Sequence, residues 1–264
     1  MTIVIGVDGS GPSRAAMEWG LRRAQALHDT VALVHVVEDE WGQLGAELVA
    51  ERAHDGALVL AAAVRDARQL SPDLAIEEHL VHGSTAFELA ALAESSDLLV
   101  VGTHKTGYIR GRVLGTRSIS VAFAARCSIA VVPENYLATR RGVVVGITEG
   151  NEWASAVSVA AREAAHRGED LTIVNAGEDE VAGRLAARDL LAHAAAAARE
   201  IAPDLTIVSR VSGRRPAEAL LDASRGANML VIGASRRPTS ELLGSVAHEV
   251  LLNINSPVLI ARPE

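Results

Sequence analysis

Asp97-Leu98-Leu99-Val100-Val101-Gly102 returns in the second half of the chain as Asn228-Met229-Leu230-Val231-Ile232-Gly233. Each copy is a short apolar run closed by glycine, the pattern of a strand buried on both faces and ended by a turn. The flanks repeat as well. Ser84-Thr85-Ala86-Phe87-Glu88-Leu89 answers Arg214-Arg215-Pro216-Ala217-Glu218-Ala219, and Leu114-Gly115-Thr116 answers Leu243-Gly244-Ser245. Cys127-Ser128-Ile129-Ala130-Val131 likewise answers Ser256-Pro257-Val258-Leu259-Ile260. A repeat of this length implies tandem domains, expected over residues 1–135 and 141–264 with a linker near 134–141.

Hydrophobic period extends the pattern outward from these strands. In the first half it predicts a strand over 3–7 and a helix whose stripe is Ala15, Ala16, Trp19, Leu21 and Ala24, followed by a strand over 31–37. A long helix over 47–70 is stopped by Pro72, and a third strand is expected over 74–81. A helix opened by Gly83 and Ser84, a strand over 98–101, another helix and a strand over 129–132 complete the half. The second half repeats the order, with strands over 143–147, 171–175 and 205–211 and helices over 153–166 and 184–201. Strands alternating with helices place the chain in the α/β class, each half an open five-stranded parallel sheet with helices on both faces.

Composition narrows the function classes. The chain has 264 residues, 49% apolar and 22% charged, with a mean hydropathy of +0.20, which argues against disorder. Its longest apolar run, 57–64, is far short of a membrane span. Met1 leads straight into Ile3-Val4-Ile5 without a basic leader, so a cytoplasmic location is expected. Cys127 is the single cysteine, which excludes an intrachain disulfide and a thiolate zinc site. A net charge of −8 and 3% aromatics argue against nucleic-acid partners.

Chemistry in such a sheet sits beyond the carboxyl ends of the strands. Asp8 follows the first strand directly, placed either to offer a carboxylate to a ligand or to cap the next helix. The backbone of His35-Val36-Val37 at the second strand end is suited to reading an adenine edge. From Leu98 to Pro133 there is no Asp or Glu, while Lys105, Arg110, Arg112, Arg117 and Arg126 crowd the same stretch. Glycines at 102, 107, 111 and 115 would let backbone amides approach an anion, or the stretch is a solvated loop with a basic helix face.

These residues resemble the universal stress proteins, whose nucleotide-binding members carry Gly, two residues, Gly, nine residues, Gly-Ser/Thr after the fourth strand. Gly102, the nine residues between Lys105 and Gly115, and Thr116 reproduce that frame. The opening Val4-Ile5-Gly6-Val7-Asp8-Gly9-Ser10, the His35-Val36 pair and the closing Cys127 to Pro133 are similar too. The resemblance covers both halves and implies two tandem Rossmann-like domains and an ATP site, usually with Mg2+. It assigns the adenosine to Val7, Asp8 and the Val36 backbone. The phosphates fall to Gly102, Gly115, Thr116 and neighbouring groups of Thr103, His104, Lys105, Arg117 and Ser118.

The departures from the family pattern carry expectations of their own. Lys105 stands at the second glycine, where it either obstructs the phosphates or adds an ammonium to them. In the second half Thr148 replaces the strand-end Asp, Arg236 replaces the second glycine, and only seven residues separate Arg236 from Gly244. A degenerate second site is expected. The GxxxxGK[ST], GxSxG and HExxH motifs are absent, and the basic loop offers a base only in His104, so no catalytic residue and no protein metal site is assigned. The expected role is a nucleotide-dependent sensor acting on a regulatory protein partner, with at most weak ATP hydrolysis. The alternatives are a nucleotide-independent dimerising scaffold of the same fold and a slow ATPase. The apolar fifth strands, as edges, suggest pairing of the two halves as a pseudo-dimer and a homodimer of chains.

Overall fold

The apolar runs of the inner strands form buried strands in which almost nothing polar interrupts the sequence, whereas the third strand of each unit is half-buried or exposed throughout. Ile3, Ile5, Leu33, Leu98, Leu99 and Ile129 are buried to 2% exposure or less, and each contributes about 1.5–3 kcal/mol of apolar transfer free energy. The computed structural model describes residues 2–38, 46–104, 116–149, 153–177, 181–234 and 244–263. It divides into two compact units, Met1–Asn135 and Tyr136–Glu264.

The first unit runs β1 (Thr2–Gly6), α1 (Gly11–Leu27), β2 (Thr30–Glu38), α2 (Ala46–Leu70), β3 (Ile76–Gly83), α3 (Thr85–Leu92), β4 (Leu98–Thr103), α4 (Thr116–Ala124) and β5 (Ser128–Pro133). Its strands are parallel in the order β3-β2-β1-β4-β5. The chain winds outward from β1 to β3, then returns to β4 on the other side of β1. Right-handed crossovers in opposite directions put helices on opposite faces. Accordingly α1 packs with α2, and α3 with α4. The sheet reverses its winding between β1 and β4, which opens a crevice at their carboxyl ends.

The second unit repeats this with β6 (Val143–Ile147), α5 (Trp153–Arg167), β7 (Leu171–Ala176), α6 (Val181–Ile201), β8 (Ile207–Ser212), α7 (Pro216–Ser224), β9 (Met229–Gly233), α8 (Ser245–Leu252) and β10 (Val258–Ala261). Its order is β8-β7-β6-β9-β10, again parallel. The α/β class and the parallel sheets are as expected. Both third strands begin later than the apolar pattern suggests. Leu74 N–H turns back to the Ser71 carbonyl and Leu205 N–H to the Ala202 carbonyl, so the residues after each helix first make a turn.

Local chemistry sets the ends of α1. Ser10 is its N-cap and accepts from Ser13 N–H, Pro12 occupies the first turn, and His28 closes the helix in the left-handed region at φ 58°. Arg14 on α1 meets Asp66 on α2 at 2.6 Å. Hydrogen bonds from Arg65 and then Arg14 hold the Asp66 carboxyl below its ordinary range. Because the folded value is depressed, the pair favours the fold above the unfolded carboxylate range and is lost as pH falls through the lowered value. An NMR titration should find Asp66 protonating at lower pH than a free aspartate, and Arg14→Gln should move it upward.

Candidate functional site

β1 pairs with β2 only as far as Gly6 opposite Val34, whereas β2 continues against β3 to Glu38. Val7 N–H still donates to the Val34 carbonyl at 2.8 Å, and the chain then leaves the sheet. Val36 turns its N–H and C=O to the same side as Val34, two residues earlier. There β1 no longer offers a partner, so a donor and an acceptor face the crevice side by side.

The end of β1 is fixed by a side chain. His35 Nδ1 lies 2.7 Å from the Val7 carbonyl oxygen. A carbonyl only accepts, so Nδ1 carries the proton. The second unit does the same with a different residue, the buried Asn175, whose Nδ2 donates to the Ile147 carbonyl at 3.1 Å. In both units the donor stands one residue beyond the partner of the strand's glycine, Gly6 opposite Val34 and Gly146 opposite Val174. On α2, Gly56 lets the helix close over the ring, since a Cβ there would lie 2.9 Å from His35 Cδ2.

Asp8 follows this latch. Its Oδ1 accepts from the Ser10 N–H at 3.0 Å and the Ser10 hydroxyl at 2.6 Å, and its own N–H donates to Ser13 Oγ at 3.0 Å. Ser10, not Asp8, therefore caps α1, and Asp8 orients the cap. Among the described residues Asp8 Oδ2 accepts no hydrogen bond, so an exposed carboxylate oxygen is left for another donor.

A cavity of about 400 Å³ lies at the crevice, walled by the ends of β1, β2 and β4 and by residues of all four helices. Of the residues expected at a site, Val7, Asp8, Val36, Gly102, Arg117 and Ser118 line it. Thr116 begins α4 beside them. Lys105 and Gly115 lie outside the described residues, as do Arg110, Arg112 and, in the second unit, Arg236. Thr103 is buried and donates its hydroxyl to the His104 carbonyl. His104 places Nδ1 3.4 Å from Glu134 Oε2. Neither Thr103 nor His104 lines the cavity.

Two further features bear on these residues. Gly102 is closely approached by the protein itself: a Cβ there would overlap the Pro12 carbonyl and lie 2.7 Å from Ser13 N. Its small size admits the start of α1 to the sheet. The basic island is also answered by carboxylates from other segments. Arg117 pairs with Glu38 at 3.0 Å and Arg126 with Glu94 at 2.8 Å, which neutralises its described arginines. Glu38, Arg52, Asp55 and Thr85, unassigned from sequence, also line the cavity. Glu38 was within reach, since it directly follows the His35-Val36-Val37 strand end. Arg52 and Asp55 gave no signal, because only the packing of α2 brings that helix face to the crevice.

His35→Asn should leave the Val7 carbonyl paired, as Asn175 does in the second unit, with stability within about 1 kcal/mol of the parent in chemical denaturation. His35→Leu removes the donor and should cost about 1–3 kcal/mol. Gly102→Ala should lower stability by roughly 1–3 kcal/mol through overpacking against α1, measured without any ligand.

The family model of the universal stress protein family matches residues 1–133 and again 139–262. A universal stress protein of Mycolicibacterium smegmatis is 30% identical over 99% of this chain and 97% of its own length. One from Mycobacterium tuberculosis is 28% identical over 98% and 96%. The crystal structure of a universal stress protein from Archaeoglobus fulgidus shares the fold, with a TM-score of 0.79 at 14% identity over 99% of this chain and 98% of that one. With the family pattern matched twice over nearly all its length, the chain belongs to the universal stress protein family.

Proposed function

We propose that the first unit binds an adenine nucleotide, ATP with Mg2+, and that the chain acts as a nucleotide-dependent sensor or interaction module in the cytoplasm. One observation carries this reading: one cavity at the winding reversal gathers the Asp8 carboxylate, the Val36 backbone, Arg117 and Ser118 from segments far apart in sequence. Its volume of about 400 Å³ falls in the range of small-molecule sites, roughly 300–1,000 Å³. Asp8 Oδ2 suits ribose hydroxyls, the Val36 N–H and C=O suit an adenine edge, and the first turn of α4 suits a phosphate. Among the described residues no group of three or more His, Cys, Asp or Glu gathers, so phosphate oxygens and water would supply most of the Mg2+ shell.

Holding the nucleotide is favoured over turning it over. Hydrolysis needs a base at the terminal phosphate, and His104 does not line the cavity. In the second unit Thr148, which follows β6, brings no carboxylate to the strand end, which supports one nucleotide per chain. Association between chains through the fifth strands, and a partner that reads the nucleotide state, belong to the same reading. A nucleotide-independent module is the second reading, favoured by the pairing of Arg117 with Glu38.

No described helix is long and apolar enough to cross a membrane. The test is to purify the protein, denature it, and quantify any released nucleotide by chromatography. About one adenine nucleotide per chain is expected, or one site on titration with ATP and Mg2+. Asp8→Ala should weaken binding by roughly ten- to a hundredfold, the scale of a hydrogen bond to a charged group. No retained nucleotide and no binding of added ATP would leave the nucleotide-independent module.

A further inference from the structure

Glu38 ends β2 at the wall of the cavity, and its carboxylate is gripped from two sides. Oε1 accepts from the Thr85 hydroxyl at 3.0 Å and Oε2 from the Arg117 guanidinium at 3.0 Å. The Glu38 carbonyl accepts from Arg52 at 3.1 Å. One residue thus ties β2 to α2, α3 and α4, and all four of these residues line the cavity that holds Asp8 and Val36. Thr85 is the first residue of α3, and Arg117 lies in the first turn of α4. A hydroxyl donor and a guanidinium at two helix starts form an environment for an anion. In this chain a carboxylate of its own already stands there.

We propose that Glu38 is a built-in anion that competes with the ligand's phosphate for Arg117, and that it thereby determines how the cavity discriminates among adenosine ligands by phosphate charge. The proposal rests on the nucleotide reading above. A polyphosphate binds by exchange: Arg117 leaves the Glu38 carboxylate for a phosphate oxygen, and Glu38 remains beside a ligand of like charge. A nucleoside makes neither demand. The Arg117 side chain is 75% exposed and that of Glu38 32%. Such a pair adds little to stability, so the exchange opens the contact without unfolding the unit.

The test is calorimetric titration of the full chain with adenosine, AMP and ATP, at low and high salt, for the parent, Glu38→Gln and Arg117→Gln. Glu38→Gln keeps an oxygen for Thr85 and removes only the charge. Its ATP-to-adenosine affinity ratio should rise about tenfold over the parent, with AMP between, as expected for one like-charge repulsion near a protein surface. The gain should shrink at high salt, which a purely structural role of Glu38 would not produce. Arg117→Gln should lower the same ratio, and it carries the test alone if Glu38→Gln does not fold. An unaltered ratio, or equal shifts for ATP and adenosine, overturns the proposal and leaves the nucleotide site standing. Failure of all three proteins to bind any of the three ligands overturns the nucleotide reading as well.

Discussion

The cavity depends on β1 stopping while β2 goes on, and the hydrogen bond from His35 to the Val7 carbonyl is what holds that mismatch. A parallel strand that simply frayed would leave a buried carbonyl without a donor, which costs about as much as a single mutation normally does. The imidazole supplies the donor from the longer strand. With β1 terminated there, the chain is free to leave the sheet through Asp8 and to start α1 on the Ser10 cap. The same step exposes the Val36 backbone pair. That Asn175 does this for Ile147 in the second unit shows that the requirement is for a donor at this register position, not for an imidazole.

Charge follows a different logic from shape. The segment from Leu98 to Pro133 is basic taken by itself, but folding brings carboxylates from β2 and from the turn after α3 to Arg117 and Arg126. Among the described residues, the first unit therefore presents a crevice whose arginine, Arg117, already has a carboxylate partner in Glu38. On the proposed reading, an incoming anion would exchange partners with Arg117 instead of meeting an unpaired guanidinium. Affinity in such a site would depend on the difference between two pairings, which a change at Glu38 alone would shift without altering the other walls of the cavity.

Much of the fold was legible because it is written in local periodicity. Runs such as Leu98-Leu99-Val100-Val101 exclude any environment but a two-sided interior, and the repeat of the whole order pointed to two units. The third strands begin later than the apolar pattern suggests because Leu74 and Leu205 satisfy that pattern while their N–H groups close a turn just after the preceding helix. At the site, Asp8, Val36, Arg117 and Ser118 were legible from strand ends and a family frame. Glu38 and Thr85 were not singled out, since neither belongs to that frame and each acts only against the other elements.

The amino-acid sequence by itself determined the α/β class, the tandem repeat, the strands and the principal core, because apolar period and turn residues act over a few positions. It also named the strand end that carries the exposed carboxylate. Only the tertiary structure decided what meets what: Glu38 with Arg117 and Thr85, His104 with Glu134, the start of α1 against Gly102. Glu38 and Arg117 are 79 residues apart, joined by the reversal of winding that carries β4 and α4 back past β1. Contacts of that kind depend on crossovers and helix packing, and no local pattern in the sequence encodes them.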